Sequence, residues 1–295
     1  MENDSLPLNL HLHHLAYLRE VERSGTFTAA ARRLHVSQSA LSQALADFER
    51  RLGVALFERD GRRRVLTAAG REAARFAAEV LGRATELRAW ADAQRAGASG
   101  SLVVGMIDAA SLYVLPSAVA AFRATHPEVS LRVVVDGSQA LLDRLLRFEI
   151  DLAVVVAPVA PALQAVEVAR EPLRLYGPPG IPTPAPDSEW VLYPSGSHTR
   201  AVIDAALAAR RITPRVILES SNPQVLRQLV ALGFGWSVLP ERVAEDGDAP
   251  LRPSGEALGE RTLVGVRRPS APPDARAEAF LALAVAAGAG RADLG

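Results

Sequence analysis

The sequence predicts an α/β protein in three parts: a small helical N-terminal unit, one long linker helix, and a larger unit of two α/β lobes. Three observations point there. Apolar residues recur at helical spacing through residues 12–48. From Ala68 to Gln94 there is no proline and alanine is frequent. After the hinge Gly97-Ala98-Ser99-Gly100, β-branched runs alternate with amphipathic helices, and a proline-rich zone from Pro158 to Pro186 divides them into two sets.

The N-terminal elements follow in order. Leu12, Leu15, Leu18 and Val21 share one helix face, and Ser24-Gly25 ends it. Thr26 is placed to cap a second helix through Ala29, Ala30, Ala31 and Leu34. After the tight link His35-Val36, Ser37 caps a third, whose core face is Ala40, Leu41, Ala44, Leu45 and Phe48. Two short helices joined by a few residues make a helix-turn-helix. Gly53 closes the third helix. Asp60-Gly61 is a turn signal between Phe57 and Val65-Leu66, so a short hairpin should stand there as a wing carrying Arg62, Arg63 and Arg64. This winged helix-turn-helix is expected over residues 10–67.

Residues 68–96 read as one helix. Ala73, Ala77, Val80, Ala84, Leu87 and Ala91 form a heptad-like seam flanked by Phe76 and Trp90, which predicts pairing with a second copy. The remainder, 100–290, reads as two lobes with parallel sheets. Strands Leu102–Met106, Leu131–Val135 and Leu152–Val156, with helices Leu112–Ala124 and Leu141–Phe148, define lobe one, about 100–168. Lobe two, about 169–261, has strands Trp190–Tyr193, Arg215–Leu218 and Trp236–Leu239, with helices Thr199–Arg211 and Pro223–Leu232. Strand Thr262–Val266 and helix Ala275–Ala287 return to lobe one, giving it 262–290 as well.

Composition narrows the function. A hydrophobic fraction of 49% supports a sizeable core. No apolar run reaches the ~20 residues that span a membrane. Glu2 and Asp4 near the start are unlike a signal peptide, so a cytoplasmic protein with no membrane partner is expected. The absence of cysteine excludes disulfides and thiol chemistry. Net charge is zero, but residues 23–71 hold 10 Arg against 4 acids, net +6. A basic module on a mildly acidic body fits DNA binding at one end. All 33 basic residues are Arg; the bias runs through the whole chain and marks genome composition rather than a site.

One set of residues is specific. Ala29-Ala30, Leu34, Ser37-Gln38-Ser39-Ala40-Leu41-Ser42, Phe48-Glu49, Leu52-Gly53, Leu56-Phe57, Arg59, Leu66-Thr67 and Ala69-Gly70 resemble, at the same spacings, the DNA-binding signature of LysR-type transcriptional regulators. Gly105, Leu115-Pro116, Phe122, Pro127, Asp151-Leu152, Asn222, Leu232-Gly233-Phe234-Gly235 and Leu239-Pro240 are similar to that family's effector domain. The resemblance covers roughly residues 12–290. It implies a winged helix-turn-helix joined to a type 2 periplasmic-binding-protein-like domain. It also implies homodimers or homotetramers, a small-molecule effector as the one ligand besides DNA, and promoter contacts that include RNA polymerase.

On the DNA side the residues agree. Ser37, Gln38 and Ser39 open the third helix, whose N-terminus tolerates close phosphate approach. Gln38 suits bidentate contact to adenine, Ser39 and Ser42 reach base edges or phosphates, and Gln43 is a further expected DNA-binding residue. Arg59, Arg62, Arg63 and Arg64 are expected phosphate or minor-groove contacts, and Thr26 is a further expected DNA-binding residue. Ala46 and Asp47 depart from relatives that carry basic residues there.

On the effector side three loops should meet in the cleft, off the C-terminal ends of parallel strands. They supply Asp108, Ala109 and Ser111; Ser138 and Gln139; and Ser195, Ser197, His198, Thr199 and Arg200. Asn222 starts a helix beside them. Hydroxyls, free N–H groups, His198 and Arg200 at one helix start form an anion seat, so an anionic or zwitterionic effector is expected. Asp108 stands where many relatives have Ser or Thr, and would welcome an amine or hydroxyls. Phe148 stands where relatives usually show Gly and reads as lobe-one packing. Ser195, His198 and Asp204 do not form a credible triad, since no G-x-S-x-G elbow exists. No catalytic or metal residue is expected. His11, His13 and His14 read as surface residues of an N-terminal arm.

Overall fold

The computed structural model describes residues 11–60, 63–96, 100–246, 249–269, 271 and 273–289. The chain divides into two compact units, Met1–Ala91 and Asp92–Gly295.

In the first unit, α1 (Leu12–Ser24), α2 (Phe27–Arg33) and α3 (Gln38–Leu52) pack around Leu18, Leu41, Leu45 and Phe48. The caps form where hydroxyl chemistry favours them. Thr26 Oγ1 accepts from Ala29 N–H at 3.2 Å and Ser37 Oγ from Ala40 N–H at 3.1 Å. Gly25 and Gly53 end α1 and α3 in the left-handed region, at φ of 68° and 69°. Strands β1 (Phe57–Asp60) and β2 (Arg63–Leu66) pair antiparallel as the wing. Glu49 fixes its base by accepting from Leu56 and Phe57 N–H at 2.8 and 3.0 Å.

Helix α4 (Ala68–Ala96) is continuous. Its first turns belong to this core, with Ala74 and Ala77 fully buried and Ala73, Val80 and Leu81 partly so. Phe76, on the other side of those turns, and Leu87, further along, are more than half exposed. The predicted seam therefore divides: its start packs at home, and Leu87 is left without cover. Trp90's side chain and the hinge residues 97–99 lie outside the described residues.

His14 corrects an expectation. It sits in α1 rather than on a surface arm, is 3% exposed, and stacks on Phe48 with ring centroids 5.6 Å apart. The α1 stripe at three- and four-residue steps brings it inward beside Leu15 and Leu18.

The second unit holds two cores on mixed sheets. Lobe one is built on β3 (Gly100–Met106), β4 (Val129–Val135) and β5 (Leu152–Val156), which run parallel in the order β4-β3-β5. A single π-type turn at Ala110–Val114, then α5 (Pro116–Thr125) and α6 (Ser138–Leu146), cover it. Lobe two pairs β7 (Glu189–Leu192) with β8 (Arg215–Glu219) in parallel, flanked by α7 (His198–Ala209) and α8 (Pro223–Ala231). Strand β9 (Ser237–Pro240) leads into α9 (Glu241–Ala244), and α10 (Ala275–Ala289) closes lobe one.

The proline-rich zone hides a strand the sequence reading omits. β6 (Gln164–Tyr176), 13 residues long, pairs antiparallel with β10 (Gly259–Arg267) from Gln164 to Leu173, and both cross from one lobe to the other. Val168 and Ala169 of β6 lie in the lobe-one core, while Leu173, Leu175 and Tyr176 lie in that of lobe two. Pro172 is accommodated because β9 pairs only from Leu173 onward. The expected all-parallel sheet is thus mixed, in order β4-β3-β5-β10-β6-β9.

Phe148 is more than packing. It holds φ 59°, which explains why glycine suits the position, and the Arg268 guanidinium lies 4.5 Å from its ring centroid.

Candidate functional site

The residues expected to contact DNA lie at the starts of α2 and α3, along α3 and on the wing. Thr26, Ser37, Gln38, Ser39, Gln43 and Arg59 are exposed, and Ser42 is half-buried. Thr28 Oγ1 donates to Gln38 Oε1 at 3.1 Å, which steadies the Gln38 side chain. Ser37 and Ser39 hydroxyls are 3.0 Å apart. Arg64 is engaged rather than free. Its guanidinium lies 4.9 and 5.2 Å from the Phe27 and Phe57 ring centroids and 3.6 Å from Glu49. It ties wing to helices, because a cation over two aromatic faces beside a carboxylate is well satisfied where it is. Arg62 and the Arg63 side chain lie outside the described residues.

Asp47 turns out to be neutralised within its own helix. Arg50 and Arg51 donate to its two oxygens at 2.8 and 2.7 Å. The Arg51 hydrogen bond, foremost, holds its carboxyl below the ordinary value.

The second site is a cavity of about 380 Å³ between the two lobes. Four loops form it, each leaving the C-terminal end of β3, β4, β7 or β8, as open parallel sheets dictate. Lobe one gives Ile107, Asp108, Ala109 and Val135 to Ala140. Lobe two gives Tyr193, Pro194, Gly196 to Thr199, Ser221 and Pro223, and β10 gives Arg261.

Of the predicted residues, Asp108, Ala109, Ser138, Gln139, Ser197, His198 and Thr199 line this cavity. Some are already engaged. Ser138 Oγ accepts from Val156 N–H at 3.2 Å, and Gln139 Nε2 donates to Asp143 at 2.9 Å. Ser197 caps α7 by accepting from Arg200 N–H at 3.2 Å. Asp108 is half-buried, and no hydrogen bond or ion pair holds its carboxylate among the described residues.

Four predicted residues stand elsewhere. Ser111 Oγ donates to the Asp108 carbonyl at 2.9 Å. Ser195 is exposed outside the cavity, its N–H on Glu219. Asn222 caps α8 by accepting from Gln224 N–H at 2.9 Å. Arg200 points into lobe two, donating to Asp204 at 2.7 Å and to Glu219 and the Tyr193 carbonyl at 2.8 Å. One helical turn and a strand supply it with two carboxylates that offset its charge, and it does not line the cavity.

The arginine at the cavity is Arg261, which sequence reasoning missed. It is 1% exposed and faces Glu171 across the β6–β10 register. Nε and Nη2 lie 2.9 and 2.7 Å from Glu171 Oε2, and Nη1 donates to Thr199 Oγ1 at 3.0 Å. Tyr193 lies beside them; the Arg261 guanidinium acts on its buried hydroxyl, which makes no well-aligned hydrogen bond among the described residues, and neither does Glu171 Oε1. Burial, above all, pushes the Tyr193 hydroxyl up to about 12. A charge inside the apolar run of β10 was the available signal, since a buried charge demands a partner.

Comparison with known proteins fits this geometry. Residues 12–71 match the family described as bacterial regulatory helix-turn-helix protein, lysR family, and 95–289 match the LysR substrate binding domain. The HTH-type transcriptional activator IlvY of Salmonella typhimurium is 30% identical over 81% of this chain and 83% of its own. The uncharacterized regulator YeiE of Escherichia coli is 29% identical over the same shares. A full-length OxyR variant from Pseudomonas aeruginosa superposes with a TM-score of 0.70 at 26% identity, covering 94% of this chain and 98% of that one. The chain belongs to the LysR family of bacterial regulators. It is a DNA-binding transcriptional regulator with a substrate-binding domain, and the proteins it matches are regulators rather than enzymes. No described helix is long and apolar enough to cross a membrane.

Proposed function

We propose that this regulator is gated by a small anionic or zwitterionic molecule held between the two lobes of its second unit. The supporting observation is the cavity itself, where helix starts, hydroxyls and an unheld carboxylate converge on about 380 Å³. Such a concave, partly apolar space with few polar groups is the usual form of a small-molecule site. Ligand closure of the lobes then biases one of two states, which requires it to bind that state better.

Gln38, Ser39, Ser42 and Gln43 read base edges, and Thr26, Arg59, Arg62 and Arg63 grip the backbone. Arg64 acts indirectly by holding the wing. Two copies pair through α4, whose exposed Leu87 needs cover, and tetramers follow from further contact between sensing domains. The operator is then an imperfect palindrome. The protein works in the cytoplasm, with RNA polymerase as its downstream contact. The working boundaries are 10–67 for the DNA-binding domain, 68–96 for the linker helix and 100–290 for the effector domain.

Footprinting on upstream DNA, with and without metabolite pools, tests this. A protected two-fold site whose extent changes with one pool is expected. A protected site indifferent to every pool would leave a constitutive DNA-binding protein in its place.

A further inference from the structure

The charges at the cavity restrict the effector more tightly than an anion seat does. Arg261 is already matched by Glu171 at 2.7 Å, so it brings no surplus positive charge. Arg200, the other nearby cation, is held by Asp204 and Glu219. Against this stand two acidic residues on the lobe-one wall. Asp136 is 3.5 Å from Arg144 and accepts from Gly137 N–H at 2.8 Å, while Asp108 is half-buried and unheld. A dianion would meet an uncompensated carboxylate in a confined space, where like charges are costly.

The opposite wall is different. The α7 start presents Thr199, 7% exposed, above Arg261 and the buried Tyr193 hydroxyl. Helix N–H groups, a hydroxyl donor and a buried guanidinium suit one carboxylate. Ile107, Ala109, Val135 and Pro223 leave room between the walls for an apolar side chain.

Resting on the reading of this cavity as the effector site, we propose that the effector is an α-amino acid or close zwitterionic analogue. Its carboxylate lies on the α7 start over Tyr193 and Arg261, and its ammonium faces Asp108. Asp108 and Tyr193 thereby set specificity: one demands a cation, the other an acceptor.

The test is a thermal-shift and calorimetric series on the full-length protein. The probes are the twenty amino acids, the matching amines without the carboxylate, and the 2-hydroxy acids without the amine. One apolar or mildly polar amino acid should bind saturably, and its amine and hydroxy acid should bind at least tenfold more weakly. Asp108→Asn should weaken the amino acid roughly ten- to hundredfold and narrow its advantage over the hydroxy acid. Tyr193→Phe should weaken both acids and leave the amine unchanged. Unliganded melting of each variant reports whether it folds, and Asp108→Ser repeats the charge removal if Asn does not fold. A hydroxy acid or dicarboxylate that binds best, and binds tighter to Asp108→Asn, overturns the zwitterion while leaving the cavity as the site. An amino acid that binds wild type and both variants alike overturns the cavity reading as well. No saturable binding from any of the twenty also overturns the proposal.

Discussion

The two units of this chain encode their working surfaces in opposite ways. The surface proposed to bind DNA is nearly contiguous: Ser37, Gln38, Ser39, Ser42 and Gln43 fall within two turns at the start of α3, and the wing follows at once. The cavity is assembled from four loops and a strand, with Glu171 and Arg261 separated by 90 positions. Local rules of capping and periodicity reach the first surface. Only long-range pairing builds the second. Substitutions should therefore have local consequences in the N-terminal unit and distributed ones in the other.

The largest expected effect is at Glu171. Glu171→Ala strands the Arg261 charge in the core and should cost the second unit about 3–5 kcal/mol, read by chemical denaturation. Replacing both residues, Glu171→Leu with Arg261→Met, should recover most of that stability. A double variant as unstable as the single one would show that the pair is not what the site requires.

Next is Gln38→Ala, expected to lose about 1–3 kcal/mol of operator affinity and to relax discrimination at one base pair. Urea midpoints should not move. Loss of folding instead of specificity would make Gln38 a structural residue tied to Thr28.

Arg200→Ala sharpens the contrast between a site and its scaffold. It should lower stability by about 1–2 kcal/mol, since its partners are partly solvated, and change effector affinity less than twofold. A selective loss of affinity would restore Arg200 to the anion seat.

The smallest effect is a pH limb. Burial, first, and then neighbouring His13 hold His14 below its ordinary value of 6.5, and its Nδ1 is unpartnered. Above that value the ring is neutral both folded and unfolded. As pH falls below 6.5 the unfolded chain takes the proton first, so stability declines until the folded ring also protonates. His14→Phe, which keeps the stack on Phe48, should flatten that decline in acid melting curves.

The same contrast explains what the sequence disclosed. Thr26, Ser37, Gly25 and Gly53 mark helix ends through their own side chains or lack of one, so those ends are legible. Loops around Asp108, Ser138 and Ser197 are legible because they follow recognisable strands. β6 is not, because Pro172 and its charged residues break the alternation that a strand exposed on one face would show. Arg200 misleads because its partner Glu219 lies on another element, at the end of β8, which a reading of its own loop does not reach. His14 misleads because neighbouring His11 and His13 resemble a tract.

The crossing strands β6 and β10 have a mechanical meaning. Two lobes joined by separate loops can swing freely, whereas these are joined by neighbouring strands hydrogen-bonded along most of their length. Such a ribbon is stiff in stretch and shear and soft only in twist and bend. Any relative motion of the lobes must bend or twist this ribbon, on which the Glu171–Arg261 pair sits. On the proposed function, a ligand in the cavity would need to supply only enough free energy to change a curvature, and both lobes would feel that change at once.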